Sequence, residues 1–337
     1  MIDEQLEDCR RPSGRQSLAF LAGSAAVTGS RTLLSQDVDR AFGMPVGKLR
    51  SRAGIESVAY ATEGETEVTL GSKAARQALC ASGCAVEEIE WIVATSETLH
   101  VYPSLAAQLH SSLRARETCS ALDVGGACLG LLNALAVAQS LIMAGQVRTV
   151  AVVTADVHSR TLIPGRVAGE FGGLFGDGAS AFILRSTGDQ NGGRAYRLRE
   201  FLFGCAGQYS GAVTVAGRTN GSLDVHFDGE ALSRAAIMRM EKVLCAIEKL
   251  SAIPRAAVGA FATHQPNPRL LSLLAKVTGV PLDAFPPIAR SSGNLGSTTC
   301  GAALHTALQM SAALLKPIFL ASLGPGLLFG GTWLAAE

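Results

Sequence analysis

The 337-residue sequence predicts an α/β fold made of two duplicated halves. Short apolar runs of strand character alternate with longer stretches of helical periodicity. The second half repeats the order of the first. A polar, glycine-rich stretch near 187–195, "TGDQNGGR", separates them. The expected units are therefore residues 1–187 and 188–337.

The elements follow in order. Residues 17–27, "SLAFLAGSAAV", read as a strand entering a turn. Residues 66–82 read as a helix, "WIVATSE" (91–97) as a strand, and 104–113 as a helix. "CSALDV" is a strand, and 129–144 a long apolar helix. "TVAVVTADV" (149–157) and "GASAFILRS" (178–186) are strands. Glycine, serine and threonine crowd 204–222, which predicts a surface loop or lid. Leu232, Ala236, Met240, Val243, Leu244, Ile247 and Leu250 then recur at helical spacing over 230–250.

The halves pair segment by segment. "WIVATSE" matches "VGAFATHQ" (258–265), and "CLGLLNAL" (128–135) matches "NLGSTTCGAAL" (294–304). "TVAVVTADV" parallels "KPIFLASLGPG" (316–326), and "DGASAFILR" parallels "LLFGGTWLA". The spacing agrees: 37 positions separate Trp91 from Cys128, and 36 separate Val258 from Asn294.

Composition narrows the function. Hydrophobic residues make up 48% and charged residues only 17%, which predicts surface covered by a second subunit, a homodimer. A net charge of +1 argues against a nucleic-acid binder. No apolar run reaches membrane-spanning length, and the polar start "MIDEQLEDCRRPSGRQ" carries no signal-peptide pattern. Eight scattered cysteines, with no C-x-x-C pair and no metal-ligand cluster, predict a reducing cytoplasm and no metal.

One of those cysteines stands apart. In "ALDVGGACLGLLNA" (121–134) a strand meets two glycines, then Cys128, then the apolar helix. A thiol at a helix N-terminus gains thiolate character from the unpaired N–H groups and the helix dipole. Cys128 is thus a candidate nucleophile, or a small residue buried at a turn. "ATHQPN" places His264 at the end of a strand, and "SSGNLGSTT" places Asn294 at the turn mirroring Cys128. If the halves face each other, Cys128, His264 and Asn294 meet at their join.

These segments carry a resemblance. The chain resembles the thiolase superfamily, specifically the β-ketoacyl-acyl-carrier-protein synthase III family. "DVGGACLGLLNAL" resembles the family's nucleophile turn, "HQPN" its H-Q-x-N, and "SGNLGSTT" its G-N-x-x-S. "FGDGASA" (175–181), "RSRAGI" (50–55) and "YPSLAAQLHSSL" (102–113) match further family segments, so the likeness runs from about 17 to 335. It implies two α/β halves stacked as a five-layered αβαβα sandwich. It also implies that Cys128 takes an acyl group from acyl-CoA or an acyl-carrier thioester. Malonyl thioester then loses CO₂, His264 and Asn294 donate to the enolate oxygen, and the carbanion attacks the acyl group. No further cofactor is implied. By motif, Tyr102, Arg52, Gly173, Asn267, Gly324 and Gly326 fall in the substrate site. Arg234, Arg269 and Lys276 fall on the face that receives acyl carrier protein.

Three departures accompany the resemblance. Pro325 stands in "LGPGL" where the family has a glycine whose N–H serves the acyl oxyanion hole, and proline has no N–H. Lys48 and Gly169 replace the aromatic and the arginine that sandwich the adenine of coenzyme A, which argues for a primer other than standard acetyl-CoA. Gly172 and Gly173 replace bulky aliphatics and predict a larger acyl pocket, which Tyr102 of a partner caps. Two alternatives remain at this point. One is a specialised acyltransferase or a secondary-metabolite condensing enzyme of the quinolone or polyketide kind. The other is a catalytically silent partner of the same fold.

Overall fold

The structure, a computed structural model, describes residues 18–187, 195–217, 223–312 and 315–337. The polar start, Cys9 and the glycine-rich stretch at 188–194 lie outside the described residues. The first half opens with β1 (Phe20–Thr28). A small excursion follows: β2 (Arg31–Leu34), α1 (Ser35–Ala41), α2 (Lys48–Ala53) and β3 (Ser57–Tyr60). Then come α3 (Glu67–Ser82), β4 (Trp91–Thr95), α4 (Leu105–Leu113), β5 (Ser120–Asp123), α5 (Gly130–Met143), β6 (Thr149–Val157), α6 (Gly169–Gly172) and β7 (Asp177–Arg185). The second half contains β8 (Tyr196–Leu198), β9 (Leu202–Cys205), β10 (Val213–Gly217), β11 (Leu223–Phe227), α7 (Gly229–Ser251) and β12 (Ala260–Thr263). It closes with α8 (Pro268–Thr278), α9 (Ala289–Ser292), α10 (Ser297–Ala312), β13 (Ile318–Gly324) and β14 (Leu328–Ala336).

Sheet pairing repeats as the sequence does. In the first half β4 lies parallel to β6, then β7 and β1 follow antiparallel. In the second β12 lies parallel to β13, then β14 and β8 follow antiparallel. Contact between β1 and β8 links the two runs, which form the two sheet layers, into one ten-stranded hydrogen-bonded network. Strand β5 adds parallel to β4 at the first edge, with all four residues exposed.

The period-2 alternation of the strands builds the layers. Ile92, Ala94, Ala151, Val153 and Ile183 face outward to α3 and α4, while Val93, Val150, Val152 and Leu184 face inward. In the other sheet Phe261, Phe319, Ala321 and Trp333 face α7 and α8, while Ala260, Ala262, Ile318 and Leu320 face inward. Between the sheets lie α5 and α10, whose Leu131, Leu132, Leu135, Ala303, Leu304 and Ala307 complete the central core. The result is five layers, αβαβα. All nine residues of β6 are buried, because helices cover both faces.

Local signals set the helix ends. Thr66 caps α3 by accepting from Thr69 N–H, and Gly83 ends it at φ 63°. Asn267 caps α8 with Pro268 behind it. The expected loop at 204–222 is partly regular. Val213 to Gly217 pair with β11 as an antiparallel hairpin. Residues 218–222 lie outside the described residues.

Candidate active site

Parallel strands deliver their C-terminal ends to one place, where such sheets hold ligands. The Cys128 turn follows β5, His264 follows β12, and Asn294 precedes α10. The same end also receives Glu97 after β4 and His158 after β6. Cys128 occupies a tight 3₁₀ turn, Ala127–Leu129, that leads into α5. Ala127 holds a left-handed φ of 48°, a strained value that only a well-fixed turn sustains. Asn133 fixes it by donating to the Gly125 carbonyl at 2.9 Å, and Ser322 of β13 donates to the Cys128 carbonyl at 2.7 Å. The second bond comes from the other half of the molecule.

Asn294 is 5% exposed. Its Oδ1 accepts from the Gly296 N–H and the Thr299 hydroxyl, both at 3.0 Å. Two donors on Oδ1 define the amide orientation, so the NH₂ is the group left to donate. The backbone of Asn294 is stitched to "FGDG": its N–H donates to Leu174 O at 2.8 Å, and Gly176 N–H donates to its carbonyl at 2.9 Å. A β-carbon on Gly176 would stand 2.0 Å from the Ser292 carbonyl oxygen, so this contact requires glycine. Asp177 beside it is fully buried and accepts from Ala61 N–H, Ser159 N–H and the Ser159 hydroxyl. The "FGDG" segment is therefore scaffolding for the asparagine.

His264 is 7% exposed, and burial pushes its pKa down to about 4 against the pull of Glu97. It is a neutral imidazole at pH 7, and its Nδ1 has no partner. Burial first, then the charge of Glu97, raises the Cys128 thiol well above its usual value. The resting site holds a thiol rather than a thiolate, contrary to what the helix N-terminus alone predicts.

Sequence reasoning missed Glu97 and His158. The rule that singled out His264, a polar residue just beyond a buried strand, applies to both. His158 Nδ1–H donates to the Gly176 carbonyl at 3.0 Å, and its Nε2 stands 3.8 Å from Glu97 Oε2. Burial works against its charge, but Glu97 and then Asp156 raise its pKa to about 9. Glu97 is held below the usual carboxylate range by His158, although burial works the other way. Asp156, fully buried, accepts from Glu97 N–H at 2.6 Å and Ser297 Oγ at 2.7 Å, tying both halves together.

The other sequence-assigned residues divide. Gly324 packs against the nucleophile turn, where an added β-carbon would lie 2.8 Å from the Gly126 carbonyl. Gly326 turns the chain at φ 78° into open space. Asn267 Oδ1 is committed to the α8 cap, accepting from Leu270 N–H at 2.9 Å. Tyr102 is 97% exposed and takes no part in the site of its own protomer. The room beside Gly172 and Gly173 is filled by Val167, Phe42 and Met44, so these glycines do not widen the pocket as expected. Arg52 and Arg269 are exposed where α2 meets α8, since Gly54 abuts Pro268 and Arg269. Lys276 is exposed further along α8, and Arg234 is exposed on α7.

Comparison with known proteins gives the family. Residues 122–200 match the family profile described as 3-oxoacyl-[acyl-carrier-protein] synthase III, and 250–336 match its C-terminal counterpart. The β-ketoacyl-[acyl-carrier-protein] synthase III of Serratia proteamaculans is 32% identical over 267 residues, 77% of this chain and 80% of that protein. The Haemophilus ducreyi enzyme of the same name is 33% identical over 265 residues, with the same shares covered. The crystal structure of 3-oxoacyl-[acyl-carrier-protein] synthase III from Aquifex aeolicus superposes with a TM-score of 0.83 at 23% identity, covering 94% of this chain and 99% of that one. Xanthomonas campestris OleA gives 0.83 at 20% identity, covering 95% and 99%. The last two likenesses bear on the fold, which is the thiolase fold. With two relatives above 30% identity over most of their length, the chain belongs to the β-ketoacyl-acyl-carrier-protein synthase III family and is a condensing enzyme of the acyltransferase class.

Proposed function

We propose that Cys128 accepts an acyl group from a thioester other than acetyl-CoA, with an acyl-carrier thioester as the favoured donor. Malonyl-carrier thioester then enters. The His264 imidazole and the Asn294 amide donate to its thioester carbonyl, CO₂ leaves, and the carbanion attacks the acyl-Cys128 carbonyl. The β-ketoacyl thioester departs and Cys128 regains its thiol. Every group in this sequence belongs to the chain or to the two thioesters, so no cofactor enters.

The observation that carries the primer reading is the ion pair of Lys48 and Glu170, 2.5 Å apart. It spans the two segments, at Lys48 and Gly169, from which relatives would hold adenine. The pair is solvent-exposed and adds little stability, so its significance is the space it takes. Arg234, Arg269 and Lys276 supply positive charge for an acidic carrier protein. The exposed edge of β5, with Tyr102 nearby, is the face on which a second copy would pair, giving a cytoplasmic homodimer.

Intact-protein mass spectrometry tests this. Octanoyl and acetyl groups are offered as CoA esters and on a carrier protein. The expected result is an adduct from carrier-linked acyl groups that disappears in Cys128→Ser, with little from acetyl-CoA. Rapid stoichiometric acylation by acetyl-CoA would contradict the primer assignment.

A further inference from the structure

We propose that Glu97 is a catalytic base for Cys128, taking the thiol proton as sulfur attacks the primer and returning it to the departing thiol. His158 is the positioning residue that holds the carboxylate in place. The inference rests on reading Cys128 as the acyl acceptor, and it adds a residue to that step.

Three observations place the pair at the reacting atom. The end of β4 that leads into Glu97 packs against the Cys128 turn, where a β-carbon on Gly130 would stand 2.3 Å from Thr95 Oγ1, and the Glu97 charge is felt at the thiol. Among the described residues, Glu97 Oε1, His158 Nε2 and His264 Nδ1 are buried polar atoms without hydrogen-bond partners, and all three residues lie just beyond the C-terminal ends of β4, β6 and β12. Buried polar atoms of a folded protein are nearly always paired, so such a cluster marks a place where another molecule completes the bonding. The Glu97–His158 separation of 3.8 Å is wider than a hydrogen bond, so the ion pair does not use up these atoms.

The pair is also built in. The Gly176 carbonyl takes the His158 Nδ1–H, which fixes the ring and leaves Nε2 toward Glu97. Phe175 lies against the same ring at a centroid distance of 4.7 Å. Gly296, two residues past Asn294, makes room for both: a β-carbon there would stand 2.7 Å from His158 Cε1 and 3.0 Å from the Glu97 carboxyl carbon. The loop that positions the malonyl donor therefore also packs on the acid–base pair.

The chemistry balances. The Cys128 S–H bond breaks and its proton moves to Glu97. Sulfur bonds to the primer's acyl carbon, the carbon–sulfur bond of the donor thioester breaks, and the leaving sulfur takes the electron pair. Glu97 then protonates that sulfur and is ionised again. Before transfer, the carboxylate repels negative charge on Cys128. After transfer, the thiolate faces a neutral acid and the His158 imidazolium, so repulsion gives way to attraction. The titratable groups around the thiol are Glu97 beyond β4, Asp156 and His158 at the end of β6, and His264 beyond β12. Of these charges, that of Glu97 acts most strongly on the thiol.

Two rates measured on the full chain separate this role from a structural one. They are single-turnover acylation by octanoyl-N-acetylcysteamine and alkylation of Cys128 by iodoacetamide. In Glu97→Gln, acylation is expected to fall about 100-fold, the usual worth of a general base. Alkylation near pH 7 is expected to rise, because removing a neighbouring negative charge lowers the thiol pKa. Glu97→Asp should recover acylation to within about 10-fold of wild type. His158→Gln should move the acid limb of the acylation profile to higher pH, since the cation that keeps Glu97 ionised is gone. Acylation by Glu97→Gln at or above the wild-type rate, rising together with alkylation, would overturn the proposal. So would an unmoved pH limb in His158→Gln, the deciding result if Glu97→Gln does not fold. A wild-type protein that alkylates but takes no acyl group from this thioester or from the carrier-linked panel would instead overturn the reading of Cys128 as acyl acceptor.

Discussion

In the proposed reaction His264 and Asn294 serve one oxyanion for different reasons. Asn294 donates because two donors occupy its Oδ1, and an amide does not titrate. His264 donates as a neutral ring because burial keeps it from charging. Alanine at either position is expected to lower CO₂ release from malonyl thioester by roughly 10²- to 10³-fold, the common loss for one oxyanion donor. In that reaction both donors serve the same oxygen, so the double variant should lose less than the product of the two. A CO₂-release assay on the three variants checks this. At this scale the sequence was readable where a residue type met a strand end and a glycine turn. Cys128, His264 and Asn294 satisfied that rule together. Glu97 and His158 satisfied it too, but an acidic residue in "TSETLH" and a histidine in "DVHSR" look like ordinary surface polarity. Only the parallel register of β4 and β6 brings them side by side.

Among the elements, the join between "FGDG" and the Asn294 loop decides whether the asparagine is aimed correctly. Gly176→Ala would drive a β-carbon onto the Ser292 carbonyl and strain the bonds to Asn294. It should cost about 1–3 kcal/mol of stability, the usual range for overpacking. It should also lower CO₂ release more than it lowers Cys128 alkylation, because the nucleophile turn is anchored separately by Asn133 and Ser322. Equal losses in both would show that the segment supports the whole site alike. Strand β6 was legible to the residue, since its run of Val, Ala and Thr, interrupted only by Asp156, fits a strand covered on both faces. The hairpin of β10 and β11 was not. Its residues are largely exposed, so no buried stripe distinguished it from a loop.

Across the whole molecule, two buried histidines give opposite pH limbs. The folded pKa of His158 is raised from 6.5 to about 9, so its contribution is fully present below pH 6.5 and is lost as pH rises through 9. The limit of that contribution is about 3 kcal/mol. The folded pKa of His264 is lowered to about 4, so its contribution is present above pH 6.5 and is lost as pH falls through 4. Denaturant unfolding of wild type, His158→Gln and His264→Gln across pH 4 to 9 should show the first variant flattening the alkaline limb and the second the acid limb. The two-half architecture was legible because each half repeats the same strand and helix order. The packing of α5 and α10 into one shared layer follows from stacking, which local patterns do not encode. That layer brings Cys128 from one half to His264 and Asn294 from the other, and the central claim is that this join makes a carbon–carbon bond. The most direct measurement starts from isolated acyl-Cys128 enzyme, adds malonyl-carrier thioester, and follows adduct mass, CO₂ and product together. Loss of the adduct, release of CO₂ and appearance of a β-ketoacyl thioester are expected in equal amounts. Loss of the adduct to a hydroxyl or amine acceptor with no CO₂ released would contradict that claim.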